Sequence, residues 1–413
     1  MTARVQAQHI VYLYAPISAS REYAPLSRSW LGHLRAGTLR TRDRVLWKLS
    51  GSCSFEYYSW RRFEYTNRGD IAIREAVKQL LAERSDNAVL FRELDWGDLR
   101  DANLSQINTE ADLFVICGGG YVFRQGADGE FSPRMGDVAA LSQIRCPVVA
   151  FGIGHNFLLE SERPKLDRSL SSEAAEKLRA LASTMELIGV RDCDLLQMLG
   201  AAGGKPAELI GDPALFLSAA KDLPLVSRGI HPELRVGINF ALHGPVSAKI
   251  FQSNCRAYAR FLDRLQKSGS KLYYFVHCRT ERIAVAILRE HGIQMEVIDL
   301  TPAQMSAAYG QMDLVICQML HSSVLATNAG VPSANIAYDQ KNIAFHEMMD
   351  LPDMCIFHQD VTEETLWELF VRLRDSRHEV VAKIDSRMAI LRRQIESFVD
   401  SAAQIVHEHA ADV

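Results

Sequence analysis

Residues Gln311–Lys341, QMDLVICQMLHSSVLATNAGVPSANIAYDQK, are the stretch whose reading decides the fold. Asp313–Cys317 is a short apolar run that reads as a strand, and Gln318–Ser323 interrupts it with polar groups. Val324–Ala329 is apolar at helical spacing, and Gly330-Val331-Pro332 ends that helix. His321, with Ser322 beside it, therefore stands where a strand ends and a helix begins. In an open α/β sheet that edge is where ligands bind. A helix N-terminus also offers free N–H groups and partial positive charge to an anion. The same field disfavours imidazolium, so the expectation is a neutral His321 able to accept a proton. A histidine that merely caps or bonds locally is the plain alternative.

Working outward, strand and helix patterns alternate on both sides. Ala334–Tyr338 is the next strand and ends in Asp339-Gln340-Lys341. Upstream, Val236–Ala241, Leu272–His277 and Met295–Leu300 read as strands, separated by the helices Ile250–Lys267 and Glu281–His291; Pro302 opens a third helix. Lys221–Leu234, with prolines, a glycine and mixed polar residues, reads as an inter-domain linker. Before it the alternation repeats. His9–Ala15, Ala88–Phe91, Asp112–Cys117, Pro147–Ile153, Leu187–Val190 and Glu208–Ile210 are strands, and Ile71–Glu83, Ser172–Thr184 and Leu195–Leu199 are helices. Such alternation predicts mostly parallel sheets covered on both faces. Right-handed crossovers gather the loops along one edge.

The predicted fold class is α/β, with two Rossmann-like domains, residues 1–225 and 226–375, facing each other across a cleft. A helical tail, 376–413, is expected to pack back across the first domain. Pro16–Arg62, rich in Arg, Ser and aromatics, reads as an irregular insertion that shapes a cleft or an oligomer contact.

Composition narrows the function classes. A chain of 413 residues has room for two or three domains, and 48% hydrophobic with 23% charged residues excludes a disordered chain. A net charge of -4 lacks the basic footprint of nucleic-acid binding, so any anionic ligand must be held by a local site. The eight cysteines are scattered without a C-x-x-C pair and read as buried free thiols of a reducing compartment; no metal site is expected. MTARVQAQHI lacks the apolar core of a signal peptide, and no run reaches the roughly 18 apolar residues of a membrane-spanning helix. The expectation is a cytoplasmic protein, with room for peripheral membrane association and for a homo-oligomer.

Chemistry-bearing residues recur at the predicted strand ends. Gly118-Gly119-Gly120 follows a strand and suits an anion nest, the approach of a sugar, or merely a tight turn. Gly154 and His155 follow another strand, as do Arg191 and Asp192. Asn67 and Asp70 precede the helix at Ile71, with Asp70 a candidate N-cap. His243, His277 and Arg279 follow strands of the second half, and Lys341 closes the opening stretch.

Asn67-x-Gly69-Asp70, the triple glycine, Gly152-x-Gly154, Arg191-Asp192, Gly211-Asp212-Pro213, Leu320-His321 and Tyr338-Asp339-x-Lys341 come in an order and rough spacing that resembles the polysaccharide pyruvyl transferase family. The resemblance covers about residues 65 to 350. It implies a fold similar to the GT-B glycosyltransferases. It also implies transfer of the enolpyruvyl group of phosphoenolpyruvate, a co-substrate and not a cofactor, to sugar hydroxyls of a glycan or lipid-linked oligosaccharide. The products are a pyruvate ketal and phosphate. His321 then fits the proton-transfer role, Lys341 the anion, and the glycine loops the approach of sugar or phosphate. The family's Arg-x-His motif has Met319 at its arginine position here. Methionine donates no charge-assisted bond, a difference of about 2–5 kcal/mol in a buried site. Arg191, Arg279 and Lys341 are the cations available to substitute. The alternatives are a GT-B-like transferase with another donor, such as a nucleotide sugar, and a non-catalytic glycan-binding member of a polysaccharide assembly complex.

Overall fold

Two six-stranded sheets, parallel throughout, carry the site on their facing ends. The computed structural model describes residues 8–17, 21–25, 29–54, 56–62, 67–85, 88–125, 130–131, 137–157, 170–221, 223 and 233–412. In the first sheet the strand order is Glu208–Leu209, Leu187–Val190, Val148–Ile153, Leu113–Cys117, Gln8–Ala15, Ala88–Asp95. In the second it is Glu296–Ile298, Lys271–Phe275, Arg235–Asn239, Leu314–Cys317, Ser333–Ala337, Cys355–Phe357. Leu113–Cys117, Val148–Ile153, Leu314–Cys317 and Ser333–Ala337 are buried along their whole length. Helices cover both faces of such strands, which is why they read as continuous apolar runs without alternation.

One apolar core runs through both halves. It joins Phe151, Ile210 and Leu215 of the first half to Phe251, Leu262 and Leu325 of the second, and to Leu391, Ile395 and Phe398 of the C-terminal helix. That helix, Arg377–Asp412, packs on the first sheet. Phe398 meets Phe151 edge-on at 5.3 Å, and Arg84 lies 3.3 Å from Asp400.

Several expectations change. The helix after Leu314–Cys317 is Leu320–Asn328, so it starts four residues earlier than its apolar spacing suggested. The reason is that Ser322 and Ser323 are fully buried: Ser323 Oγ lies 3.1 Å from Cys317 Sγ and accepts from Asn335. The polar groups of Gln318–Ser323 thus lie inside the fold. Asp70 is no N-cap; Asn67 caps the helix Arg68–Glu83, accepting from Gly69 N–H at 3.0 Å, and donates to Asp70 at 2.8 Å. The region 16–62 contains a regular helix, Trp30–Ser50, flanked by the antiparallel pair Arg21–Pro25 and Tyr58–Arg62. A small sheet of Val122–Gln125, Glu130–Phe131 and His155–Phe157 was not legible, nor were the helices Asp101–Glu110 and Gln340–Met348. Most of the expected linker Lys221–Leu234 lies outside the described residues.

Candidate active site

The carboxyl ends of the two sheets meet, and His321 lies at the meeting point. The Leu320–Asn328 helix places its ring directly on the backbone of Gly69, where a Cβ would stand 1.9 Å from His321 Nδ1. No side chain larger than hydrogen fits there without moving the ring. Across the same interface His321 Nε2 lies 3.4 Å from Asp212 Oδ2, and both side chains are buried. Asp212 belongs to the Gly211-Asp212-Pro213 turn, whose geometry it also fixes by accepting from Ala214 N–H at 3.0 Å.

Arg191 sits behind this pair. Its guanidinium is 3.5 Å from Asp212 and 3.7 Å from Asp192, and it donates to Asn156 Oδ1 at 2.9 Å. Burial raises the cost of ionising Asp212, but His321, Arg191 and the Ala214 N–H outweigh it and hold its carboxyl below the usual range. Asp192 caps the helix Cys193–Ala202, accepting from Leu195 N–H at 2.8 Å and His155 N–H at 3.2 Å. For Asp192 burial wins, and its pKa is pushed up to about 6 despite Arg191. Burial likewise raises the carboxyl of Asp70, against the charges of His321, Lys341 and Arg191.

The glycine loops serve close approach more than anion binding. A Cβ on Gly120 would be 2.1 Å from Asn156 Nδ2, and one on Gly154 2.1 Å from Arg191 Nε. The Gly118 N–H donates to Phe151 O and the Gly154 N–H to Gly119 O, both at 2.8 Å, so neither is free to bind an anion. Gly118 and Gly119 have φ of 55° and 70°, which the tight turn after the strand requires.

On the second half, His277 is fully buried with Nε2 2.9 Å from Tyr309 Oη, and its carbonyl accepts from Arg68 N–H. Burial, with His321 and Arg68 nearby, lowers its pKa well below the usual histidine value. Ser322 lies against Tyr309. Lys341, half-buried, is 3.7 Å from Asp339 and 5.6 Å from the centre of the Tyr338 ring. The Tyr338 hydroxyl in turn donates to Met319 Sδ at 3.5 Å. Met319 itself lies in a small apolar cluster with Ala241, Ile250, Cys278 and Tyr338.

Asn67, Asp70, the glycines, His155, Arg191, Asp192, His277, Ser322 and Lys341 are thus gathered around His321. His243 is exposed, and among the described residues no hydrogen bond or ion pair joins its ring to the cluster. Arg279 is exposed, and among the described residues no hydrogen bond or ion pair joins it to the cluster. Asp212, Asn156, Tyr309 and Glu281 were not assigned from sequence. The Gly-Asp-Pro turn at a strand end was the available signal for Asp212, while nothing local marks Glu281.

Residues 67–340 match the sequence model described as polysaccharide pyruvyl transferase. The chain belongs to the polysaccharide pyruvyl transferase family. Among curated proteins there is no sequence match. The UDP-GlcNAc 2-epimerase of Neisseria meningitidis, bound to UDP-GlcNAc, is 10% identical with a TM-score of 0.51, covering 84% of this chain and 98% of its own. Another UDP-N-acetylglucosamine 2-epimerase is 9% identical with a TM-score of 0.51 over 97% of each chain. At these identities the likeness is one of fold, and it places this pyruvyl transferase family member among GT-B-type structures.

Proposed function

We propose that this transferase moves the enolpyruvyl group of phosphoenolpyruvate to sugar hydroxyls of a glycan, forming a pyruvate ketal. The observation that carries the reading is the convergence of His321, Asp212 and Arg191 between the facing sheet ends, inside the segment that matches the family. In ketal formation two hydroxyl groups add to C2 of the enol phosphate, and the C2–O bond to phosphate breaks. Of the two hydroxyl protons, one is balanced by the proton that turns the C3 methylene into a methyl group, and the other leaves with phosphate. A group that gives and takes protons in turn is needed, and His321 fits that role with Asp212 stabilising its protonated form. Lys341 supplies the cation for the donor's carboxylate or phosphate. Its ammonium is 5.6 Å from the centre of the Tyr338 ring, whose hydroxyl meets Met319 at the family's arginine position.

The test is phosphate release from phosphoenolpyruvate across a panel of acceptor glycans, including lipid-linked oligosaccharides. Release is expected only with an acceptor present. His321→Ala is expected to lower kcat by about 10²–10⁴, and Asp212→Asn to lower it in the same direction. No release across the panel sinks the proposal.

A second reading rests on Met319, whose apolar surroundings are not those of an anion subsite. On that reading the donor has changed, for instance to a nucleotide sugar. Thermal-shift measurements separate the two, because the true donor raises the melting temperature of the native state.

A further inference from the structure

The helix Trp30–Ser50 has two unlike faces. Gly32, Ala36 and Asp43 turn inward and are buried, with Asp43 accepting from Ser54 N–H at 2.9 Å and Ser54 Oγ at 2.7 Å. The far end is anchored on the second half: Trp47 stacks on His291 with centroids 3.5 Å apart, and Arg44 is 3.9 Å from Glu290. The outward face is the larger apolar one. Trp30 is 70% exposed, Leu31 60%, Leu34 59% and Leu49 77%, with Val45 and Leu46 beside them. Soluble surfaces carry scattered apolar side chains, but five of these, Trp30, Leu31, Leu34, Val45 and Leu49, fall within about 100° of arc on one helix, with Thr38 and Thr41 as the polar residues among them.

Charge says what covers it. At 100° per residue, Lys48 and Arg44 border that arc at its Trp30 edge and Arg42 and Arg35 border it at its Leu31 and Leu49 edge, with Leu46 lying beyond Arg35. All four are exposed; Arg42 bonds Glu56 at 2.7 Å, whereas Arg35 and Lys48 have no acidic partner among the described residues. The helix's only acid, Asp43, faces inward. A Trp- and Leu-rich stripe bordered by Arg and Lys, on a helix about 30 Å long, has the pattern of a helix lying in the plane of an anionic lipid surface. Two copies of this face packed together would instead set basic flank against basic flank.

We propose that the Trp30–Ser50 helix docks the protein onto anionic membrane surfaces, with Trp30, Leu31, Leu34 and Leu49 entering the interface and the flanking bases meeting lipid headgroups. Docking does not depend on which donor the active site uses, so its failure leaves the proposed reaction standing. The experiment is flotation of the full chain with vesicles of equal parts phosphatidylglycerol and phosphatidylcholine, against vesicles of phosphatidylcholine alone. Binding is expected on the anionic vesicles, about tenfold or more weaker on the neutral ones, and falling with salt. Leu31→Ser with Leu34→Ser is expected to reduce partitioning about tenfold with little change in melting temperature, because both side chains are exposed in solution. Arg35→Glu with Lys48→Glu, which leaves the apolar face whole, is expected to weaken binding to the anionic vesicles only. Equal partitioning to both lipids, absence of binding, or a dimer that the leucine variant dissociates without any vesicle binding by the native chain overturns the proposal.

Discussion

Three donors converge on one oxygen of a carboxyl that water cannot reach. Glu281 Oε2 accepts from His277 N–H at 2.7 Å, Cys278 N–H at 3.2 Å and Asn239 Nδ2 at 3.0 Å, while Oε1 is buried and bonds none of the described groups. Burial outweighs those donors and pushes the pKa from 4.5 up to about 8. A neutral acid with its proton on Oε1 fits that arrangement. Between those two values the folded chain holds a proton that the unfolded chain releases. The contribution of Glu281 is therefore fully present below the unfolded pKa and is lost as pH rises through the folded one, at no more than about 1.4 kcal/mol per pH unit. Urea unfolding of the wild type and of Glu281→Gln at pH 6 and pH 8 checks this. The variant is expected to lose less stability over that interval, and parallel profiles would mean that Glu281 is ionised throughout. Asp212 has the opposite sign, since its pKa is lowered: its contribution is lost as pH falls through the folded value. At this scale the sequence made His321, Arg191 and Asp192 visible because strand ends leave a compositional trace. Asp212 left only the Gly-Asp-Pro turn as a trace and Glu281 left none, because what shifts both is burial and partners from distant parts of the chain.

Elements were legible where their pattern served one environment. The buried strands and the helix Arg68–Glu83, with Ile73, Val77, Leu80 and Leu81 inward, match their periodicity. The helix Trp30–Ser50 does not, because its large apolar residues face out and small ones face in, which reverses the rule used to read it. The C-terminal helix could be recognised as a helix expected to return to the first domain, but not which residues it meets there. Phe398 is fully buried against Phe151 of the first sheet, and its ring comes within 2.9 Å of where a Gly189 Cβ would stand. The helix is thus a wall of the first sheet's core, and only a glycine at 189 leaves room for it. Phe398→Ala is expected to cost about 3–5 kcal/mol. The denaturation midpoint measures this, with a single transition because one core spans both sheets and the tail. A loss below about 1 kcal/mol, or a separate early transition of the tail, would show that the helix is an appendage.

Across the whole molecule the two halves are held together around the candidate site. Arg68 reaches Asp299 at 3.0 Å and Leu300 O at 2.9 Å, Asn328 donates to Leu217 O at 2.8 Å, Gln340 to Asp194 at 2.8 Å, and Phe157 N–H to Asp339 at 3.2 Å. With Gly69 and Asp212 closing over it, the His321 side chain is only 7% exposed. A glycan acceptor cannot reach a ring so enclosed, so the halves must part for the proposed reaction to begin and close again to exclude water from it. Loosening the contacts that lie away from the ring isolates that motion. Arg68→Ala combined with Asn328→Ala is expected to lower stability by about 1–3 kcal/mol, from the lost bonds to Leu300 O, Leu217 O and Ser306, while Asp299 keeps Arg282 as a partner. It is also expected to raise the rate at which diethyl pyrocarbonate modifies His321 several-fold, followed by peptide mass spectrometry under conditions where both proteins remain folded. A donor that binds between the halves is expected to slow the modification in both. An unchanged rate in the variant would mean that access to His321 is not governed by separation of the halves, and that acceptors enter by another route.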